Sequence, residues 1–344
     1  MQKILMLLGV GSVSAMAAAL SAQPARQAPP AETNQAVTSD PGIDRTIMHV
    51  QVILDRLGFS PGVIDGKEGE SLKLALRGFQ QARGLQVTGK IDQPTLRTLH
   101  QYRAIRPTTL VRISQIDLAG PFTNPIPKDP EQQAKLPCLC YRTALEKIAE
   151  RFHTTPATLL ALNSPDTPLR AGQPIVVPSA LPYTRDYKVK DEKARELLSA
   201  LNVNAEQPQG DRVVVDKSDG VLRVFNGERL IAQFPATMGS ERDPLPLGEW
   251  KITAHSYMPP WHYQPAILKK ADKSDPELMI KPGPNNPVGV AWLDLSKEHY
   301  GIHGTADPNT IGRAESNGCI RLTNWDVARL SLMVKPGTRA TFQE

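Results

Sequence analysis

Apolar residues in the first third of the chain recur every three or four positions. In TIMHVQVILDRLGF, Ile47, Val50, Ile53, Leu54 and Leu57 fall on one helical face. In SLKLALRGFQQARGL, Leu72, Ala75, Leu76 and Phe79 do the same. The turn cluster SPGVIDG separates the two, and QPTLRTLHQY, with Pro94 near its start, predicts a third helix. Residues 44–100 thus read as a small three-helix module. Residues 101–137 are Pro-rich and irregular, and read as a linker. Over residues 138–180 the helical period returns. One helix carries Leu145, Ile148, Ala149 and Phe152, Thr154–Thr155–Pro156 caps and starts a second that ends at Asn163, and PLRAGQPIVVP closes as a strand. A short charged helix, DEKARELLSALN, and polar residues make a second linker over 181–208. From residue 209 the period falls to two. DRVVVDKSDGVLRVFNGERLIAQFPATMG alternates around Ser218–Asp219–Gly220 and Asn226–Gly227, which are hairpin turns. LGEWKITAHSYM and VGVAWLDLS add strands, and NWDVARLSLMV adds one helix. The pattern predicts a multidomain α+β chain whose last domain, residues 209–344, is β-rich.

The N-terminal pattern differs from all of this. Lys3, an apolar run and small residues around Ala19–Ala22 have the layout of a secretory signal peptide over 1–22. The run is too short and too rich in Ala, Gly and Ser for a membrane span, so no stable membrane insertion is expected after cleavage. Residues 23–43 are Pro/Ala/Gln-rich and read as a disordered tether. Export to the periplasm is the expected localisation.

Composition narrows the partners. With 344 residues the chain exceeds one ordinary core. Its net charge of +5 suits an anionic partner, but no Lys/Arg stripe interleaved with aromatics points to nucleic acid. The 3 cysteines, Cys138, Cys140 and Cys319, are an odd number, so at least one stays out of any internal disulfide. Cys138 and Cys140 could close a small ring or remain buried thiols, and ring strain favours the thiols. His153 reads as a surface or cap histidine.

The stretch YGIHGTADPNTIGRAESNGCIRL carries the candidate chemistry. Gly318 before Cys319 permits a turn that presents the thiol and aims consecutive N–H groups at one spot. Thiol acyl transfer needs a nucleophile, a base and oxyanion donors. An ordinary thiol, with a pKa of about 8.5, is mostly protonated at neutral pH, and His303 is the candidate base. His299 and His303 are four apart, but along a strand that is about 13 Å, too far for two ligands of one zinc.

The first module, with its GF…G…DG…G turns and FQ…GL…G segment, resembles a peptidoglycan-binding module. Residues 138–180 resemble a LysM-type glycan-binding unit whose opening strand is replaced by CLCYRT. The run YGIHGTADPNTIGRAESNGCIRLTNWDV, together with PATMGSERDPLPLGEWKI, resembles the L,D-transpeptidases, with a YkuD-type catalytic domain over 209–344. That resemblance implies Cys319 as nucleophile and His303 as general base, oriented by the Gly304 carbonyl. It implies an oxyanion hole around Gly318 and Cys319, and roles for Asn317, Ser316, Arg321 and Tyr300 in shaping the site. Many members carry His where this chain has Asn317. The implied reaction is attack on the third residue of a peptidoglycan stem peptide, release of D-alanine, and aminolysis by a second stem to give a 3→3 cross-link, with no metal or organic cofactor.

Alternatives remain open at this stage. Water as acceptor gives an L,D-carboxypeptidase or endopeptidase, and a wall-anchored lipoprotein Lys gives protein attachment. A non-catalytic scaffold that binds wall glycan and stem peptides is a further reading. In papain-like peptidases Cys precedes His and opens a helix, whereas here His comes first. The two N-terminal modules are expected to tether a separable catalytic domain to the wall.

Overall fold

The computed structural model describes residues 42–240, 243–266, 268, 271–312 and 318–344. The signal peptide and nearly all of the tether lie outside the described residues, as do Ser316 and Asn317. Ile43, the last residue assigned to the tether, is buried beside Met48 and Ile64.

The first module contains α1 (Arg45–Arg56), α2 (Glu70–Ala82) and α3 (Gln93–Leu99). Asp44 and Asp92 cap α1 and α3 by accepting backbone N–H bonds. Val50, Ile53, Leu54, Leu72, Ala75, Leu76 and Phe79 share one core, on the faces that the spacing predicts. Leu230 joins that core from the final domain.

Next come β1 (Thr108–Arg112), α4 (Gln115–Leu118), α5 (Pro130–Lys135), α6 (Ala144–Arg151), α7 (Pro156–Asn163) and β2 (Pro174–Pro178). Strand β1 pairs antiparallel with β2, Thr108 opposite Pro178. The stretch expected to be linker therefore holds the opening strand of the LysM-like unit, and CLCYRT does not replace it. Residues 113–143 are interposed between that strand and α6. Within them Cys138 and Cys140 form a disulfide, where the strain of a small ring had favoured thiols. Leu139 between them behaves as a strand residue, donating to the Pro282 carbonyl at 3.1 Å and accepting from Asn285 N at 3.0 Å. Side chains alternate along such a segment, so both thiols fall on one side while Leu139 is buried on the other against Tyr263 and Ile280.

Helix α8 (Glu192–Ala200) lies in the second expected linker. It is not a linker in packing terms, because Leu197, Leu198, Leu201 and Val203 belong to the main core. That core lies against a sheet of nine strands among the described residues: β3 (Arg212–Asp216), β4 (Val221–Asn226), β5 (Arg229–Pro235), β6 (Thr237–Met238), β7 (Gly248–Tyr257), β10 (Ala291–Leu295), β11 (Gly301–His303), β12 (Ile320–Arg321) and β13 (Arg339–Gln343). Their order is β5-β4-β3-β13-β7-β10-β11-β12-β6. Between β7 and β10 a hairpin, β8 (Trp261–Tyr263) and β9 (Leu278–Ile280), leaves the sheet and packs on the residues around Leu139. Helix α9 (Asn324–Met333) contributes Trp325, Val327, Ala328 and Leu330 to the main core.

The modules are docked rather than strung on a tether. Phe59 forms a parallel bridge to Gln233 of β5, where Ser60 N donates to Gln233 O and Gln233 N donates to Gly58 O, both at 2.9 Å. The Gln233 side chain donates to the Leu74 carbonyl at 2.6 Å, and a Cβ on Gly78 would stand 2.7 Å from its amide. Elsewhere Arg329 of α9 and His153 both meet the buried Asp55 carboxylate of α1. Burial alone would raise that carboxyl, but Arg329 and His153 hold it well below the usual range. His153 also faces the Leu201 carbonyl at 2.8 Å and stacks on Trp325 at 5.3 Å. It is thus a fully buried junction residue and not a surface histidine, because acceptors from two other parts of the chain face its two nitrogens.

Candidate active site

Strands β11 and β12 run parallel, with Ile302 opposite Ile320 and His303 opposite Arg321. Ile302 and Ile320 are in the main core. Alternation then sends His303 and Arg321 to the opposite face, together with Cys319, the residue just before β12. Cys319 and His303 are diagonal neighbours on adjacent strands, roughly 8 Å apart at Cα from the strand spacing and rise.

Gly318 is required twice over. Its φ is +88°, and a Cβ there would stand 2.7 Å from the Tyr300 ring. The turn delivers a half-buried Cys319 whose Sγ lies 3.8 Å from the His299 carbonyl. Burial pushes the thiol up, while the backbone of Gly301 and the charge of Arg321 pull it back only in part.

His303 is buried and stacks on Trp292, with centroids 5.2 Å apart and planes at 15°. Its Nδ1 lies 2.8 Å from the Gly304 carbonyl. A carbonyl can only accept, so Nδ1 carries the proton and Nε2 keeps a lone pair. Burial, and then the charge of Arg321, bring the imidazole down to about 3. The ring is therefore neutral at pH 7 and able to take a proton. Asn324 packs closely on Gly304, where a Cβ would stand 2.1 Å from Asn324 Oδ1. Asn324 Oδ1 accepts from Val290 N at 3.2 Å, and its Nδ2 donates to Glu150 Oε1 at 2.6 Å. The loop after His303 is pinned by Thr237, which donates to the Thr310 carbonyl at 3.2 Å and accepts from Gly312 N at 2.9 Å.

The L,D-transpeptidase catalytic domain (YkuD) matches residues 210–341, a peptidoglycan binding domain matches 45–99, and a LysM domain matches 145–178. A Bacillus licheniformis protein that carries the name L,D-transpeptidase YkuD is 32% identical over 200 residues, which is 57% of this chain and 92% of that protein. This chain belongs to the L,D-transpeptidase family. The Bacillus subtilis YkuD protein is similar to the same degree, 32% over 199 residues, with 57% and 92% covered. A solved L,D-transpeptidase from Xylanimonas cellulosilytica is 13% identical with a TM-score of 0.36, covering 89% of this chain and 98% of that one.

Within this L,D-transpeptidase, Cys319, His303 and Arg321 share one face of the β11–β12 pair, Gly318 stands against the Tyr300 ring, and the Gly304 carbonyl faces His303 Nδ1. Ser316 and Asn317 lie outside the described residues. Sequence reasoning missed Trp292 and Gly301. Trp292 supports the imidazole, and Gly301 makes room for it, since a Cβ there would stand 2.4 Å from the indole. Trp292 was legible as an alternate position of its strand, but its pairing with His303 needed the register. Glu150 was also missed, because it sits in another module.

Proposed function

We propose that this L,D-transpeptidase forms 3→3 peptidoglycan cross-links through a Cys319 thioester. The observation that carries the reading is the shared face of Cys319 and a His303 whose Nδ1 is committed to Gly304 O, leaving Nε2 as base. Sγ attacks the carbonyl of the third stem residue as Nε2 takes the thiol proton. That proton passes to the departing D-alanine amine, and a thioester remains. N–H groups at Gly318 and Cys319 serve the developing oxyanion. The amine of a second stem then attacks the thioester, gives its proton to Nε2, and the thiol is restored. Arg321 keeps the thiol within reach of ionisation, and Tyr300 buttresses the Gly318 turn.

The peptidoglycan binding and LysM domains support peptidoglycan as partner and a site of action outside the cytoplasm, cell-wall associated in the periplasm. No helix among the described residues is long and apolar enough to cross a membrane. The test is mass spectrometry of tetrapeptide muropeptides incubated with the protein. Cross-linked dimers are expected, and Cys319→Ala should abolish them together with covalent labelling by a carbapenem-type acyl donor. Trimmed tripeptides alone would make water the acceptor, transfer to a lipoprotein Lys would make it a protein-attaching enzyme, and turnover by the Ala variant would overturn the assignment.

A further inference from the structure

Glu150 is a buried carboxyl in the last turn of α6, in the LysM-like unit, and the chemistry above does not use it. We propose that Glu150 is a positioning residue for the general base: through the Asn324 amide it fixes the Gly304 carbonyl that keeps the proton on His303 Nδ1. The LysM-like unit then completes the catalytic site as well as binding the wall. The proposal deepens the acyl-transfer reading and rests on it.

The path from Glu150 to His303 is short, and its first link has one orientation. Asn324 Oδ1 accepts from Val290 N at 3.2 Å. A backbone N–H only donates, so the amide cannot turn over, and Nδ2 faces the other way. There its hydrogens go to Glu150 Oε1 at 2.6 Å and to the Pro284 carbonyl at 3.1 Å. Oδ1 is wedged between two backbones: a Cβ would stand 2.3 Å from it on Gly289 and 2.1 Å on Gly304. The two glycines also meet directly, since the Cβ on Gly289 would stand 2.6 Å from Gly304 Cα. Only glycine permits so close an approach. A shift of the Asn324 amide is therefore passed to the Gly304 peptide, whose oxygen lies 2.8 Å from His303 Nδ1. Without that acceptor the imidazole is free to take the other tautomer, which has no lone pair at Nε2.

The nature of the side chain is a second observation. Burial pushes Glu150 up to about 7, against the Tyr141 hydroxyl and the Asn324 amide, which favour the charged form; Glu146 adds to the rise and His153 opposes it. Such a carboxyl costs stability as pH rises towards 7. An apolar side chain of the same length would fill the space without that cost. What the carboxyl adds is an acceptor oxygen for Asn324 in either protonation state.

The test uses the full chain with isotope-labelled histidine and the variants Glu150→Met, Glu150→Gln and Leu159→Ala. Leu159 belongs to the core of the LysM-like unit and to none of the contacts above. The nitrogen shifts of His303 report its tautomer, and acylation by a carbapenem-type donor gives a maximal rate and a half-saturating concentration. The native ring should carry its proton on Nδ1. Glu150→Met should mix the tautomers and lower the maximal rate about tenfold at an unchanged half-saturating concentration. Glu150→Gln still offers Asn324 an oxygen and should stay within about threefold of the native rate. Leu159→Ala should lower the melting temperature and keep the native tautomer. A native tautomer and rate in Glu150→Met overturns the proposal. So does a Gln variant as impaired as the Met variant, or equal mixing in Leu159→Ala, which would make the effect one of packing. If Glu150→Met does not fold, Tyr141→Phe removes a bond that orients the carboxyl and carries the test: mixed tautomers and a rate about threefold lower support the proposal, and native values overturn it. Absence of carbapenem acylation in the native chain would instead overturn the acyl-transfer reading, while the tautomer still decides whether Glu150 positions the ring.

Discussion

A neutral imidazole brought down to about 3 and a thiol pushed up by burial do not make a resting ion pair. The proton of Cys319 therefore moves during attack, with Arg321 the nearby charge that favours the thiolate. Replacing Arg321 by Met should move the acylation-rate profile with a carbapenem donor to higher pH and slow it about tenfold at pH 7. An acid-side or unmoved profile would remove Arg321 from that role. The depressed His303 also has a stability signature. The unfolded ring binds its proton near 6.5 and the folded ring near 3, so the unfolded chain holds more protons in between. This stability is complete above 6.5 and is lost as pH falls from there towards 3. Gly318→Ala meets both a positive φ and the Tyr300 ring, and should cost about 1–3 kcal/mol. It should lower acylation far more than the melting temperature, because the strain sits in the turn that presents the thiol.

Elements with a clear period were legible from sequence, and those whose partners lie far along the chain were not. The faces of α1 and α2, the Thr155 cap of α7 and the hairpin turns at Gly220 and Gly227 all follow from local spacing. The strand Thr108–Arg112 does not, because Leu110 is 66% exposed and its partner strand begins at Pro174. The two residues of β12 are too few to show a period, so Cys319 was legible from its motif while its face of the sheet was not. The inserted residues around Leu139 have no period either; they are ordered by the β8–β9 hairpin, itself an excursion that local pattern did not reveal. Leu139→Ala should therefore cost about 2–5 kcal/mol despite its place in a loop, read as a fall in the unfolding midpoint. A change within error would mean that the small core around Tyr263 and Ile280 does not hold this loop.

Taken whole, the described chain buries polar groups between modules that sequence reading had treated as separable. Asp55, His153, Arg329 and the Ser60–Asp326 bond at 2.7 Å are satisfied across module boundaries. A chain that starts at residue 181 would expose Trp325 and the β5 edge and leave Arg329 without Asp55. It should be aggregated or unfolded by circular dichroism and should not label with a carbapenem. A stable, labelled fragment would restore the tether picture. Glu150 gives the assembled molecule a second pH dependence, opposite in sign to that of His303. Its folded carboxyl titrates at about 7 against an ordinary 4.5, so stability is complete below 4.5 and falls as pH rises towards 7. Glu150→Gln should flatten that fall, by on the order of 3 kcal/mol, in denaturation curves taken across the window.

The bridge between Phe59 and Gln233 has a consequence for how such a molecule meets a polymer. A catalytic domain on a flexible leash searches a volume, and its access to any bond is set by effective concentration. Here the helical module shares backbone bonds with the catalytic sheet, so a glycan strand held on that module stands at a fixed distance and angle from Cys319. Under the proposed function, reach is decided by lattice geometry: the molecule would work as a caliper, and spacing between wall strands, rather than their abundance, would determine which stems come under the thiol.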